Sequence, residues 1–205
     1  MTDARRLFAG AQALLVDVDG TLVDSSVPVR RAWTAFAHRH GLDPQTVLAA
    51  AHGRPSRETV RLFSPPNDHE REAARIEHDE TSDADGTVAL PGAAAILAAA
   101  RPMAIVTSCS ARLMAVRLQA AGLRLPTSAI TVDDVTAGKP DPACFLQASA
   151  LLGVPPADCL VLEDSPVGIQ AARAAGVPVI AVRTTHTDAA LTDANAIVDD
   201  LAALL

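Results

Sequence analysis

The sequence is poor in aromatic residues and contains a single lysine. Four phenylalanines, one tryptophan and no tyrosine occur among the 205 residues, of which 49% are hydrophobic. The core must therefore consist mainly of alanine, valine, leucine and isoleucine, which suits parallel strands covered by helices. Of the 17 lysine and arginine residues, the one lysine is Lys139. A compositional bias toward arginine would explain this ratio, so the neighbourhood of Lys139 must indicate whether it is functional.

Further absences limit the class of protein. No apolar stretch approaches the ~20 residues of a membrane-spanning helix, and the N-terminal "MTDARRLFAG" lacks the apolar segment of a secretory signal. A net charge of −7, without any basic-aromatic run, argues against nucleic-acid binding. We therefore predict a soluble, cytoplasmic protein, with a monomer as the default.

The cysteines indicate neither a disulfide framework nor a zinc site. Cys109, Cys144 and Cys159 are odd in number and lack C-x-x-C spacing. None is followed six positions later by arginine, which argues against the loop of a cysteine-based phosphatase. We interpret them as reduced, structural thiols.

Short apolar runs typical of strands alternate with segments of helical periodicity. This alternation predicts an α/β fold with a doubly wound parallel sheet, in which functional residues gather at the carboxyl ends of the strands. The predicted strands are residues 13–19, 103–108, 128–134, 159–164, 177–182 and 196–200.

One region interrupts the alternation. From about residue 27 to residue 87 the sequence has helical periodicity and no convincing strand. We predict an all-helical cap over residues 27–87, inserted into an α/β core of residues 1–26 and 88–205. No internal repeat and no low-complexity tract occur.

Two pairs of acidic residues follow apolar strands. Asp17 and Asp19 end "ALLVDVD", and alternate residues of a strand point to the same face. Glu163 and Asp164 end "CLVLED". Crowded carboxylates require a cation or a shared proton, and Mg²⁺ prefers such oxygen ligands. The alternatives are acidic residues in a β-turn for the first pair and a surface helix cap at Asp164 for the second.

Hydroxyl groups and the lone lysine lie at further strand ends. Thr107, Ser108 and Ser110 follow the strand of "IVTSCS" and precede a helix, where hydroxyls and free N–H groups can bind an anion. An ordinary N-cap cluster is the alternative. Lys139 occupies the loop "GKPDP" after another strand end, and its compact ammonium suits a phosphoryl oxygen and a neighbouring carboxylate.

These segments together resemble the haloacid dehalogenase superfamily of Mg²⁺-dependent phosphohydrolases. The segments are "DVDGTLVDS", "IVTSCS", "GKPDP" and "LEDSPVGIQAA", in this order and over almost the whole chain. The helical insert after the first segment is similar to the cap of the β-phosphoglucomutase-like branch, which includes phosphatases of sugar, polyol and glycerol phosphates.

The resemblance implies a mechanism with two aspartates and a metal ion. Asp17 would attack phosphorus and form an aspartyl-phosphate. Asp19 would protonate the leaving alkoxide and then deprotonate the hydrolytic water. Mg²⁺ would be held by the Asp17 carboxylate, the Asp19 backbone carbonyl and Asp164, with support from Glu163.

The resemblance also assigns the phosphoryl-binding groups. Lys139 and the pair Thr107 and Ser108 would hold the phosphoryl oxygens, and family members place the key hydroxyl at either position of the pair. Positioning and charge neutralisation dominate phosphoryl transfer, so few side chains suffice.

Substrate selectivity is predicted to lie in the cap. The segment "AHGRPSRETV" resembles the cap loop that meets the substrate, with His52, Arg54 and Arg57 as candidate contacts; solvated cap surface is the alternative for each. The mutases that resemble this chain carry a histidine in the first helical stretch of the cap, where this sequence has Val29. This departure favours hydrolysis over phosphomutase activity.

The prediction is therefore a Mg²⁺-dependent phosphatase of a small sugar or polyol phosphate. The enzymatic alternatives are a phosphoglycolate or nucleotide phosphatase and a β-phosphoglucomutase-like phosphomutase. The alternative from another class is a catalytically silent protein that binds a ligand.

Overall fold

The computed structural model describes residues 2–51 and 53–205. Its strands are β1 (Ala13–Val16), β2 (Val23–Asp24), β3 (Val88–Ala89), β4 (Met103–Val106), β5 (Ala129–Ile130), β6 (Cys159–Glu163), β7 (Val179–Val182) and β8 (Ala196–Val198). Its α-helices are α1 (Asp3–Gly10), α2 (Ser26–Arg39), α3 (Pro44–Ala51), α4 (Ser56–Phe63), α5 (His69–Ser82), α6 (Ala93–Leu97), α7 (Ala111–Ala120), α8 (Ala143–Leu152), α9 (Pro166–Ala174) and α10 (Asp188–Leu191).

The six predicted strands form one parallel sheet. The strand order is β5-β4-β1-β6-β7-β8, so β1 lies between β4 and β6. Leu14 of β1 pairs with Met103 on one side and with Leu160 on the other. The carboxyl ends of β4, β1 and β6 are therefore adjacent, and they carry three of the predicted site segments.

Helices cover both faces of this sheet. Because successive side chains of a strand alternate between faces, Leu14 and Val16 of β1 belong to one buried cluster and Leu15 to the other. The first cluster includes Leu118 of α7, and the second includes Phe145 of α8. The predicted doubly wound α/β fold is confirmed.

The strand predicted over residues 128–134 is shorter than expected. Only Ala129–Ile130 pairs with β4, and the chain then turns through a 3₁₀ helix. The Thr131 backbone N–H and hydroxyl both donate to a carboxylate oxygen of Asp134, at 2.8 and 2.7 Å. This capping box therefore pairs the Thr131 N–H and hydroxyl within the turn. In a longer strand, backbone N–H groups would bond to the neighbouring strand instead.

The helices α2 to α5 pack around a separate apolar cluster. Its fully buried members are Phe36, Ala37, Val47, Val60 and Ile76, with Trp33 at 3% exposure. A two-stranded antiparallel ladder of β2 and β3 lies where the chain enters and leaves this helical region. The sequence analysis missed this ladder because two-residue strands show no periodicity. The inserted helical cap is therefore observed, while its exact division from the core at residues 27 and 87 stays a prediction.

Among the helices of residues 2–51 and 53–205, none combines the length and the apolar character that spanning a membrane requires.

Candidate active site

The first acidic pair follows β1 into a tight turn. The Asp17 backbone N–H donates to Leu162 of β6 at 3.0 Å, so Asp17 still lies on the edge of the sheet. Gly20 then adopts φ +84°, a left-handed conformation that favours glycine. A Cβ at Gly20 would lie 2.1 Å from an Asp164 carboxylate oxygen. The turn therefore needs glycine both for its backbone and for the close approach of Asp164.

Lys139 joins two of the acidic strand ends. Its Nζ donates to Asp17 Oδ1 at 2.7 Å, to Glu163 Oε2 at 2.7 Å and to the Val106 carbonyl at 3.2 Å. These three acceptors use all three N–H groups of the ammonium. The lysine is only 3% exposed. Its two carboxylate partners therefore offset the free-energy cost of removing its charge from water.

Glu163 has its second carboxylate oxygen bound by the start of α9. Its Oε1 accepts from the backbone N–H of Asp164 at 3.2 Å, and from the N–H and hydroxyl of Ser165 at 3.1 and 2.8 Å. Ser165 is the N-cap of α9 and accepts from Gly168 N–H at 3.2 Å. Glu163 is thus fixed at both oxygens, while Asp164 follows it at the strand end.

Three buried carboxylates form a candidate metal site. Asp17, Glu163 and Asp164 each offer an oxygen, and these oxygens lie within 4.8 Å of one another. Burial and the neighbouring Glu163 raise the pKa of Asp17 to about 8, although Lys139 acts in the opposite direction. Burial, Glu163 and Asp17 also raise the pKa of Asp164 well above its usual value. One ammonium does not neutralise three carboxylates, and this donor set fits a hard divalent cation.

The pKa of Glu163 shifts in the other direction. Burial acts to raise this pKa, but the charge of Lys139 and its hydrogen bond outweigh burial and lower it. Glu163 is therefore the carboxylate that stays ionised and holds Lys139 in place. The prediction that Glu163 supports the site is consistent with this arrangement.

The side chain of Asp19 contacts other residues than the cluster of Asp17, Glu163 and Asp164 does. Ser25 Oγ donates to Asp19 Oδ1 at 2.5 Å, and Cys109 Sγ donates to Oδ2 at 2.9 Å. Arg117 of α7 forms an ion pair with Oδ2. Burial raises the pKa of the Cys109 thiol well above its usual value, so the thiol remains a hydrogen-bond donor. The predicted metal contact of Asp19 through its backbone carbonyl stays a prediction.

The hydroxyl groups after β4 have separate partners. Thr107 is buried, and its Oγ1 accepts from Cys109 N–H at 3.1 Å. Ser108 Oγ donates to the Gly53 carbonyl of the cap at 3.1 Å. Ser110 is the N-cap of α7, as its Oγ accepts from Leu113 N–H at 3.1 Å. The N-cap alternative is therefore correct for Ser110.

A cavity of about 950 Å³ lies between the sheet edge and the helical cap. Asp17, Asp19 and Asp164 line it from the core, together with Thr107 and Ser108. Among the described residues, neither Lys139 nor Glu163 is part of the lining. Lys139 thus lies behind Asp17, and its hydrogen bonds go to two carboxylates and the Val106 carbonyl.

The predicted cap contacts lie on the same cavity. Arg54 and Arg57 both line it, and Arg57 also pairs with Glu70 at 3.5 Å, with side chains 69% and 75% exposed. His52 lies outside the described residues. Gly53 adopts φ +71°, and a Cβ there would lie 2.6 Å from Ser165 Oγ, so the cap loop sits directly against the core.

The structure adds site residues that sequence reasoning missed. Thr185, after β7, donates to Asp164 Oδ2. Its position after a strand could have indicated it, because β7 ends at the same edge of the sheet. Arg117 and Cys109 hold Asp19, but Arg117 lies within a helix of ordinary periodicity, which carries no signal of such a contact.

Comparisons with known proteins agree with this arrangement. Hexitol phosphatase A from Escherichia coli is 40% identical over 197 residues, which is 93% of this chain and 91% of that protein. The 2-deoxyglucose-6-phosphate phosphatase 1 of Saccharomyces cerevisiae is 32% identical over 210 residues, covering 91% and 85%.

A solved structure shares the fold. The β-phosphoglucomutase of Clostridium difficile superposes with a TM-score of 0.82 at 22% identity, covering 95% of this chain and 93% of that chain. The family model of the haloacid dehalogenase-like hydrolases matches residues 11–176. The chain therefore belongs to the haloacid dehalogenase-like hydrolase family, as its four sequence segments predicted.

Proposed function

We propose that this protein is a Mg²⁺-dependent phosphatase of a small sugar or polyol phosphate. The observation that carries the proposal is the buried Asp17 carboxylate, bound to Lys139 at 2.7 Å, next to Asp164 and on the wall of the cavity. Both relatives described above are named as phosphatases, one of a hexitol phosphate and one of a deoxy-sugar phosphate. A cytoplasmic location and a monomeric state are part of the same proposal.

The reaction proceeds in two half-reactions. An Asp17 oxygen attacks phosphorus, the P–O bond to the sugar breaks, and Asp19 donates its proton to the leaving alkoxide. A water then attacks the aspartyl-phosphate, Asp19 takes a proton from this water, and the P–O bond to Asp17 breaks. The products are the sugar, inorganic phosphate and free enzyme.

Mg²⁺ fits the carboxylate cluster. Asp17 and Asp164 would hold it with the Asp19 backbone carbonyl, and Glu163 would support it. When bound, the ion neutralises negative charge on the phosphoryl group. Without a cation, burial and then the neighbouring carboxylates raise the pKa of Asp17 and Asp164, so a divalent ion would bind where its positive charge offsets both effects.

Thr107 is the better candidate for the phosphoryl-binding hydroxyl. Its Oγ1 acts as an acceptor for Cys109 N–H, which leaves its own hydrogen for an anion. The Ser108 hydroxyl donates to the Gly53 carbonyl, so it is engaged with the cap. Ser108 would then contribute by holding the cap loop, and Lys139 by fixing the attacking carboxylate.

The cavity offers both hydrogen-bond acceptors and donors to a hydroxyl-rich substrate body. Beyond the phosphoryl site its lining includes the acidic Glu58 and Asp133 and the basic Arg54 and Arg57, which can accept from and donate to sugar hydroxyls. Val29 also lines the cavity, and its apolar side chain cannot transfer the protons that a mutase histidine would. Together with the names of the two relatives, these lining residues support hydrolysis of a sugar or polyol phosphate over phosphomutase activity.

A panel of phosphorylated metabolites tests this proposal. We expect Mg²⁺-dependent phosphate release, with kcat/KM highest for hexitol and hexose phosphates and activity abolished by a chelator. Arg54→Ala and Arg57→Ala are run on the same panel, and a changed order of substrates in either supports the cap assignment. No phosphate release from any ester would instead favour a silent, ligand-binding protein.

Thr185 provides a separate test of the metal site. Thr185→Val removes the hydroxyl that donates to Asp164 Oδ2. Groups that orient metal ligands typically contribute about 10-fold or more to metal affinity. We expect the Mg²⁺ concentration for half-maximal activity to rise about 10-fold, with kcat at saturating Mg²⁺ nearly unchanged.

The matched control is Thr187→Val in the same loop. Thr187 is exposed and its side chain makes no capping hydrogen bond at α10. Its Mg²⁺ dependence should equal that of the unmodified protein. Equal Mg²⁺ curves for both variants would argue against Asp164 as a ligand.

A further inference from the structure

A buried arginine connects the core to the cap beneath Asp19. Arg117 of α7 is 5% exposed, and its Nη1 forms the ion pair with Asp19 Oδ2. Its Nη2 lies 3.4 Å from Glu80 Oε2, and Glu80 is also 5% exposed. A guanidinium this deeply buried is retained only with anionic partners on each side. One of its two partners is the proposed acid/base residue.

The contacts of Asp19 suit the carboxylate anion that remains once it has given its proton to the leaving alkoxide. Ser25 donates to one oxygen, and Cys109 and Arg117 donate to the other. An ionised carboxylate only accepts hydrogen bonds, so donors at both oxygens satisfy it. The anion is also the form that can take a proton from water.

The other partner of Arg117 belongs to the cap. Glu80 lies on α5, where Trp33 of α2 also hydrogen-bonds it. Glu77, three residues earlier and therefore on the same side of α5, accepts from Ser110 Oγ of α7 at 2.5 Å. The cap helix α5 thus contacts α7 through two acidic residues, and one of these contacts leads directly to Asp19.

We propose that Arg117 is a positioning residue for the second half-reaction, the hydrolysis of the aspartyl-phosphate. It holds the Asp19 carboxylate ready to take a proton from the attacking water while the P–O bond to Asp17 breaks. Glu80 fixes Arg117 in turn, so the docked cap contributes to this half-reaction. The inference rests on the proposed function, because it assumes that Asp19 acts on an aspartyl-phosphate.

Rapid-quench kinetics of Arg117→Met with p-nitrophenyl phosphate and Mg²⁺ tests the inference. General-base catalysis contributes about 10²–10⁴-fold, and a misplaced base loses part of it. We expect kcat to fall about 10- to 100-fold. KM should fall in parallel, so that kcat/KM changes by less than about threefold, because kcat/KM reports steps only as far as alcohol release and p-nitrophenolate leaves without needing a proton from Asp19. A burst of nitrophenol stoichiometric with enzyme should appear as the phosphoenzyme accumulates.

Three further variants complete the experiment. Arg112→Met makes the same exchange at an exposed position of α7 and should leave the kinetics unchanged. Arg117→Lys keeps the charge, so it should recover part of kcat. Glu80→Gln should show the same pattern with a smaller drop. If Arg117→Met does not fold, Arg117→Lys carries the test through a smaller fall in kcat at nearly constant kcat/KM.

Two results would overturn the inference. One is a fall in kcat/KM as large as the fall in kcat, without a burst, and the other is unchanged kinetics in both Arg117 variants. Failure of the proposed function would look different: either the unmodified protein would release no nitrophenol, or Asp17→Asn would keep its turnover in the same assay.

Discussion

Replacing Lys139 by arginine is expected to lower kcat/KM by about 10²-fold or more, although the positive charge is kept. The Lys139 ammonium meets three acceptors that converge on one atom: Asp17 Oδ1, Glu163 Oε2 and the Val106 carbonyl. A planar guanidinium spreads its donors over a wider fork and cannot reproduce this geometry. The Phe145 ring, 5.4 Å from Nζ, leaves little room for the larger group. The attacking carboxylate would therefore be displaced.

The measurement is steady-state kinetics with the best substrate of the panel, together with thermal unfolding. Overpacking a buried site costs about 1–3 kcal/mol, so the variant should fold at moderate temperature. Arg124→Lys, at an exposed position, is the matched control for the exchange of cations and should keep full activity. Full activity of Lys139→Arg would mean that the lone lysine reflects only the arginine-rich composition.

Asp17→Asn is expected to abolish turnover, with a loss of at least about 10³-fold in kcat. The amide cannot attack phosphorus to form the acyl-phosphate, while it keeps nearly the shape of the carboxyl group. Asp3→Asn, at a side chain 87% exposed, is the control and should be fully active. Near-normal hydrolysis by Asp17→Asn would contradict the proposed mechanism.

The same variant should remain stable when metal is removed. Burial and Glu163 raise the pKa of Asp17 to about 8, so the folded protein disfavours this charge. A group with a raised pKa contributes stability at low pH, and this contribution is lost as the pH rises through the folded-state pKa. In the presence of a chelator, the unmodified protein should therefore lose stability relative to Asp17→Asn between about pH 4 and pH 8. Thermal unfolding of both proteins across this range checks the sign.

The candidate site could largely be predicted because its residues follow a rule of topology. Asp17 and Asp164 end two apolar strands, and in a parallel sheet these ends meet at one edge. Lys139 was placed at this edge although 122 residues separate it from Asp17 in the chain. Local signals such as "DG" and "SP" located the turns that follow these strands.

Other contacts could not be predicted, since they depend on how side chains from distant elements meet. Arg117 reaches Asp19 across 98 residues, from within a helix of ordinary periodicity. The burial of Lys139 behind Asp17 also became apparent only from packing. Its hydrogen-bond partners are Asp17, Glu163 and the Val106 carbonyl, which shifts its proposed role from holding phosphate to fixing the nucleophile.

The sequence by itself determined the alternating α/β order, the helical insertion, the acidic strand ends and the family to which the chain belongs. These features are encoded locally, in the period of apolar residues and in short segments at strand ends. Only the tertiary structure decided that Asp19 pairs with Arg117 instead of joining the other carboxylates, and that Glu80 links this pair to the cap. The ladder of β2 and β3 at the base of the cap was also decided there. Such contacts arise from packing between segments far apart in the chain, so no local sequence pattern predicts them.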